Sequence, residues 1–309
     1  MFKWGLFGYF LANIVGPLIQ CIYLLFKTKS ISDICLSGKY KKEEKEMLTY
    51  CRPMMANGIA WWVNSTSDRY IVIFFCGLAQ NGVYSVASKI PSIINIFQSI
   101  FSQAWTLSAV RDFDTEDKNG FFANTYRVYN CFMVIICSVI IVSDKFLAGL
   151  LYAKDFYVAW KYVPWLSIAI VFGALSGYIG GFFSAVKNSK IYAQSTIVGA
   201  IVNVILNLIL TPAMGALGAA IATMVCYMVT WVVRYINSRK IVNMKIKLVR
   251  DIISYIVLML QAVTLEIIDN GIELYFIEVL LFAFVIILYC KDIGMVLKRA
   301  VDVLKSRCR

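Results

Sequence analysis

The sequence predicts an all-α polytopic membrane protein with a helical bundle of about nine transmembrane helices, on three observations. Of its 309 residues 60% are hydrophobic and only 16% charged, where a soluble chain carries about 25% charge. Uncharged or nearly uncharged runs cover 4–26, 53–67, 70–88, 90–110, 128–143, 162–186, 191–233, 252–265 and 278–290. The 30 Lys and Arg gather in short segments between those runs, the pattern that orients helices in a bilayer rather than one that tracks nucleic-acid phosphates.

The first run, 4–26, is uncharged for 23 positions and has no A-x-A-like cleavage site behind it. It reads as a membrane span and not a signal peptide. The connector 27–48, "KTKSISDICLSGKYKKEEKEML", ends in a charged stretch suited to a cytoplasmic helix. A solvated, orientation-setting face is the plain reading, and contact with anionic lipid the other.

The next region holds a topological choice, because "NSTSDRYIVIFF" (64–75) carries Asp68 and Arg69 inside a membrane-like stretch. With 53–77 as one helix, a turn near 77–82 and a second helix through Lys89, 24 of the 30 basic residues face the cytoplasm and four face outward. With Asp68-Arg69 as a loop, every later segment inverts and only 11 of the 30 lie inside. The charge rule prefers the first arrangement and puts both residues within the membrane. The run 191–233 has 43 residues, about 65 Å as one helix, roughly twice the bilayer core. It must cross twice, with Pro212 and Gly215 of "TPAMG" as breakers. The expected helices are thus 4–26, 50–77, 82–108, 125–143, 160–186, 190–211, 214–234, 251–269 and 272–290. The chain start lies outside and the tail in the cytoplasm, and outer loops are short.

Composition also excludes chemistry. The sequence has no histidine, which removes imidazole acid–base catalysis and imidazole metal ligation. Its nine cysteines form no CxxC pair and fall mostly in apolar runs, as small buried hydrophobes do. No metal, cofactor or catalytic residue is expected.

Counted from a turn near position 80, Asp68 lies about 18 Å deep and Lys89 about 14 Å, with Arg69 between them. Charges at such depth are costly unless paired or facing water, so they mark a functional site by default. One reading is a pair, Asp68 with Lys89 or Arg69, that pins two helices. The other is a cationic cavity for an anionic substrate, with Arg69 suited to forked phosphate contacts. Asn64, Gln98, Asn203 and Asn207 share this depth as candidate substrate contacts, with Asn57, Asn95 and Gln103 nearby. Asn203 and Asn207 are four apart and share a helix face; interhelical hydrogen bonding is the alternative for all of these amides. Pro53 and Pro91 are placed to bend their helices. Trp61 and Trp62 offer a wall for sugars, and the small residues of "GALSGYIGG" (173–181) and "GALGAAIA" (215–222) fit close helix packing.

At these residues the chain resembles a known family. "DRYIVIFFCGLAQNGVYSVASKIPSIINIFQSIFSQAW" (68–105) is similar to the seventh and eighth helices of bacterial polysaccharide and O-antigen flippases, and "VNVILNLILTPAMGALGAAIATMVCYMV" (202–229) to their eleventh and twelfth. These belong to the multidrug/oligosaccharidyl-lipid/polysaccharide superfamily, whose fold the MATE transporters share. The resemblance implies two six-helix lobes about a central cavity. Laid on this chain, 1–26 is the last helix of the N-terminal lobe, 27–48 a basic cytoplasmic linker and 49–236 a complete six-helix C-terminal lobe. Residues 237–290 then hold two extra helices and 291–309 a basic cytoplasmic tail, and five helices of the first lobe are missing. The implied function is translocation of an undecaprenyl-diphosphate-linked oligosaccharide across the bacterial cytoplasmic membrane, making and breaking no bond. The implied partners are that lipid-linked oligosaccharide, membrane lipids, and a first-lobe fragment or second copy to complete the cavity; nucleic acid is not among them. The alternatives are a MATE-type cation or drug antiporter, against which the net positive cluster argues, and a non-transporting fragment.

Overall fold

The structure, a computed structural model, describes residues 5–28, 40–268 and 271–307. Residues 29–39 of the expected linker and the last two of the expected tail lie outside that range. The described residues are largely helical and contain no strand. Eight helices among them are long and apolar enough to cross a membrane. The chain divides into two units, Met1–Leu48 and Thr49–Arg309.

The first unit holds α1 (Gly5–Thr28), whose apolar side chains, such as Ile14, Leu18 and Phe26, are exposed along its length. It also holds the first turns of α2 (Lys41–Ala87). The charged stretch expected as a separate helix therefore runs into the first span of the second unit. Glu43 and Glu44 in its opening turn complement the positive end of the helix dipole.

In the second unit α2 reverses at Gly77, whose φ of 84° and ψ of 173° lie where only glycine is at ease. The reversal is proved by a contact. Tyr84 Oη donates to Asp68 Oδ2 at 3.3 Å across 16 residues, whereas a straight helix would hold the two backbones roughly 24 Å apart. The turn expected near 77–82 is thus a single residue. The helix expected over 82–108 is not continuous: it breaks at residues 88–91 and resumes as α3 (Ser92–Arg111). Pro91 has no N–H to donate, and tight bonds such as Lys89 N to Val86 O and Ile93 N to Ile90 O carry the chain through. Hydropathy alone counts Lys41–Ala87 once although it holds two arms.

The chain continues through α4 (Phe121–Val142), α5 (Asp144–Leu151) and a 3-10 helix (Lys154–Lys161), so the expected outer loop 144–159 is largely helical. Asp117 caps α4, its carboxylate accepting from Phe122 N and Ala123 N at 2.9 Å each. Then come α6 (Val163–Ala185), α7 (Ser189–Met214), α8 (Ala216–Ser238), α9 (Leu248–Ile267) and α10 (Ile272–Arg307).

Helix α6 is apolar or small on every side and is buried along nearly all its length, as such a helix must be. Its small residues admit large neighbours: a Cβ on Gly181 would meet Trp105 Nε1 at 2.6 Å. Trp105 Nε1 donates to Tyr178 O, and Tyr178 Oη to Phe122 O, which fastens α3 and α4 to α6. Helices α7 and α8 form a hairpin at Gly215, φ 64°. Pro212 stays inside α7, so the turn expected from "TPAMG" rests on the glycine. A Cβ on Gly218 would sit 2.3 Å from Leu210 O, which enforces glycine where the two helices meet.

Helices α9 and α10 are tied to α4 by polar side chains. Asp292 receives Arg127 on one oxygen and Arg250 on the other. Asn130 donates to Tyr289 Oη and accepts from Tyr255 Oη, both at 3.0 Å. Such satisfied pairs cost little when buried and fix which helix faces which.

Candidate functional site

Asp68 sits nine residues before the Gly77 turn, on the face of α2 that meets α7 and α8, and is 4% exposed. Three neutral donors reach its carboxylate. Asn207 Nδ2 donates to Oδ1 at 2.8 Å, and Thr223 Oγ1 and Tyr84 Oη donate to Oδ2 at 2.6 and 3.3 Å. Each comes from a different segment, so this carboxylate joins both arms of α2 with α7 and α8. Asn203 lies one turn before Asn207 and accepts from Ser67 Oγ at 3.0 Å. Its Nδ2 is buried without a partner among the described residues. Asn64 Oδ1 accepts from Cys226 Sγ at 3.0 Å one turn below Asp68, and Asn57 Oδ1 from Thr196 Oγ1 at 2.6 Å two turns lower still.

Arg69, one residue on, is turned about 100° round the helix and is exposed. It lines a cavity of about 160 Å³ together with Asn64, Ser65, Asp68, Tyr84, Asn95 and Tyr227, among others. No ion pair among the described residues involves Asp68, Arg69 or Lys89. The expected alternative of an Asp68 pair pinning two helices is therefore not what the structure holds. Asp68 is satisfied by hydroxyl and amide groups, and the guanidinium beside it faces open space. Lys89 is exposed in the 88–91 break and does not line the cavity. Gln98 is half-buried on α3, also off the cavity wall. Trp61 lies 5.7 Å from the Tyr227 ring at the cavity edge, and Trp62 is exposed.

Comparison with known proteins places this geometry in a fold. No protein-family model and no curated protein matches the sequence. Among solved structures, the chain aligns over 92% of its length with the lipid II flippase MurJ in an inward closed conformation, TM-score 0.59 at 15% identity. It aligns over 71% of its length with an outward-facing multidrug resistance MATE family transporter of the MOP superfamily, TM-score 0.50 at 17% identity. The fold is that of MurJ and the MATE transporters. The chain covers 61% of the MurJ chain and 52% of the MATE chain.

Within this fold, four of the seven expected site residues, Asn64, Asp68, Asn203 and Asn207, converge between α2 and the α7–α8 hairpin, and Arg69 flanks them. Sequence reasoning missed Tyr84 and Thr223. Tyr84 stands in the quoted "GVYSVA" stretch but carries no signal of depth. A threonine in an apolar helix commonly bonds its own backbone, and Thr223 Oγ1 does stand 2.9 Å from Ala219 O, while its single proton points to the nearer Asp68 Oδ2. Arg234, the last residue of the expected helix 214–234, is 2% exposed within α8. Its guanidinium donates to Ser195 Oγ, Ser176 O and Thr196 Oγ1 at 2.8–2.9 Å and lies over the Tyr192 ring. It knits α6, α7 and α8 together through neutral acceptors.

Proposed function

We propose that the chain serves in flipping an undecaprenyl-diphosphate-linked oligosaccharide from the cytoplasmic to the outer leaflet of a bacterial inner membrane, for cell-surface polysaccharide synthesis. The observation that carries this reading is Arg69. A guanidinium in a membrane-spanning helix is costly unless it meets water or an anion. Here it stands exposed on a polar cavity wall, beside a carboxylate already occupied by other donors. A planar fork of N–H donors suits a diphosphate better than any other group in the cavity does. Lys89, exposed in the 88–91 break and off the cavity wall, is in our reading a cation that an anionic head group meets on its approach. The likeness to a lipid II flippase supports a lipid-linked substrate in general, and the sugar and its diphosphate carrier are our reading.

One observation favours a second reading, cation antiport. Asp68 is a buried carboxylate with no Lys or Arg on it, among hydroxyl and amide oxygens. Substitutions in cells that produce the chain separate the two. In the flippase reading, Arg69→Ala with Lys89→Ala abolishes surface glycan while the protein stays in the membrane, and Asp68→Asn does less harm. Normal glycan export in the double variant overturns the head-group assignment. Cation-dependent drug efflux lost in Asp68→Asn alone would establish the antiporter instead.

A further inference from the structure

Helix α3 carries a feature that the flippase reading does not absorb. Ser92, Asn95, Ser99, Ser102, Gln103 and Thr106 are all exposed. At 3.6 residues per turn they fall within an arc of roughly 100°, over a length of roughly 21 Å. No charged residue stands on the helix before Arg111. The next side chains round the helix on one flank, Ile96, Leu107 and Ile100, are exposed and apolar, as lipid contact requires. A polar stripe on an otherwise apolar helix does not face hydrocarbon.

The stripe is also open for bonding. Asn95, Ser102 and Gln103 make no side-chain hydrogen bond among the described residues. Ser99 and Thr106 donate to backbone carbonyls of their own helix, at 2.8 Å each, which leaves their oxygens free to accept. Near its upper end Asn95, one turn after Ser92, shares the cavity wall with Arg69. From there it runs toward the end of α3 away from Gly77.

We infer that this stripe reads the glycan of the lipid-linked substrate, and that the glycan is neutral: sugars bearing hydroxyl and N-acyl groups, without carboxylates, phosphates or free amines. The inference rests on the flippase reading and deepens it. Amides and hydroxyls offer both donors and acceptors, which match sugar hydroxyls and acetamido groups. A uronic acid on the same track would give up hydration to hydroxyls and amides with no cation on the helix before Arg111 to meet it. Arg69 at the upper end then takes the diphosphate, and the sugars lie along α3.

The test uses the full chain in lipid nanodiscs and three probes: undecaprenyl diphosphate alone, the same lipid carrying an N-acetylhexosamine disaccharide, and the same lipid carrying a uronic-acid disaccharide. Binding of the neutral glycolipid is expected to be tighter than that of the bare lipid by roughly tenfold, as one or two net hydrogen bonds supply. The uronic-acid glycolipid is expected to gain nothing over the bare lipid. The variant Ser99→Ala, Ser102→Ala, Gln103→Leu should lose the neutral-sugar gain while binding the bare lipid as before, which also shows that it is folded. Equal binding of bare and neutral glycolipids, a gain for the uronic-acid lipid, or a gain that survives in the triple variant overturns this inference and leaves the flippase reading standing. Failure of the bare lipid to bind, with Arg69→Ala indistinguishable from the parent, overturns the flippase reading and this one with it.

Discussion

Asp68 and Arg69 are adjacent in sequence yet take different tasks, because each step along a helix turns the side chain by about 100°. Asp68 faces α7 and α8 and is held by Thr223, Asn207 and Tyr84, while Arg69 faces the cavity. Removing one donor from a buried carboxylate leaves it short of a partner and costs about 1–3 kcal/mol. Thr223→Val keeps the shape and removes the hydroxyl, so it should lower thermal stability in detergent by that order, with Thr223→Ser restoring most of it. Equal melting of the valine variant and the parent would show that the Thr223 bond carries no weight. Much of this site was legible in the sequence. A carboxylate and paired asparagines inside uncharged runs stand out, and Asn203 and Asn207 had to share a face. Thr223 stayed hidden because threonine is ordinary in apolar helices, and Arg234 because it sits at the edge of a basic segment that solvation would explain equally well.

At the scale of elements, glycines set the corners. Gly77 turns α2 back on itself at a φ of 84° with no loop. An alanine there must hold a conformation that costs about 1–3 kcal/mol, and the strain falls on the contact between Asp68 and Tyr84. Gly77→Ala should therefore unfold at lower temperature than the parent. Gly82→Ala, in the helix beyond the corner, should not, since a Cβ there meets Phe156 only at an ordinary 3.8 Å. If the two variants melt alike, the corner is not the constraint described. Periodicity and breakers fixed the α7–α8 hairpin and the approximate turn after α2. They did not reveal the break at 88–91, because both flanking runs are uncharged and the proline alone does not say whether a helix bends or stops. The merging of the charged segment with the first span was equally invisible, since Lys and Glu sit well both in a helix outside the membrane and in the start of one that enters it.

For the whole molecule, the apolar runs pointed to an all-α membrane bundle and the small-residue stretches to close helix packing, and the structure has the fold of MurJ and the MATE transporters. We propose the orientation from charge alone, 24 of 30 basic residues on the cytoplasmic side against four outside. A phosphatase or fluorescent reporter fused after Arg309 should report the cytoplasm, and a tag beside Leu78 the exterior; a reporter active only outside would reverse the orientation and every assignment of leaflet with it. The most direct test of the central claim follows the substrate between leaflets. In cells lacking the chain, lipid-linked oligosaccharide should stay beyond reach of a membrane-impermeant glycosidase added outside. The parent chain should restore access to the enzyme, and the Arg69→Ala variant, present in the membrane at equal level, should not. Equal glycosidase access with and without the chain, or full restoration by Arg69→Ala, would contradict the account.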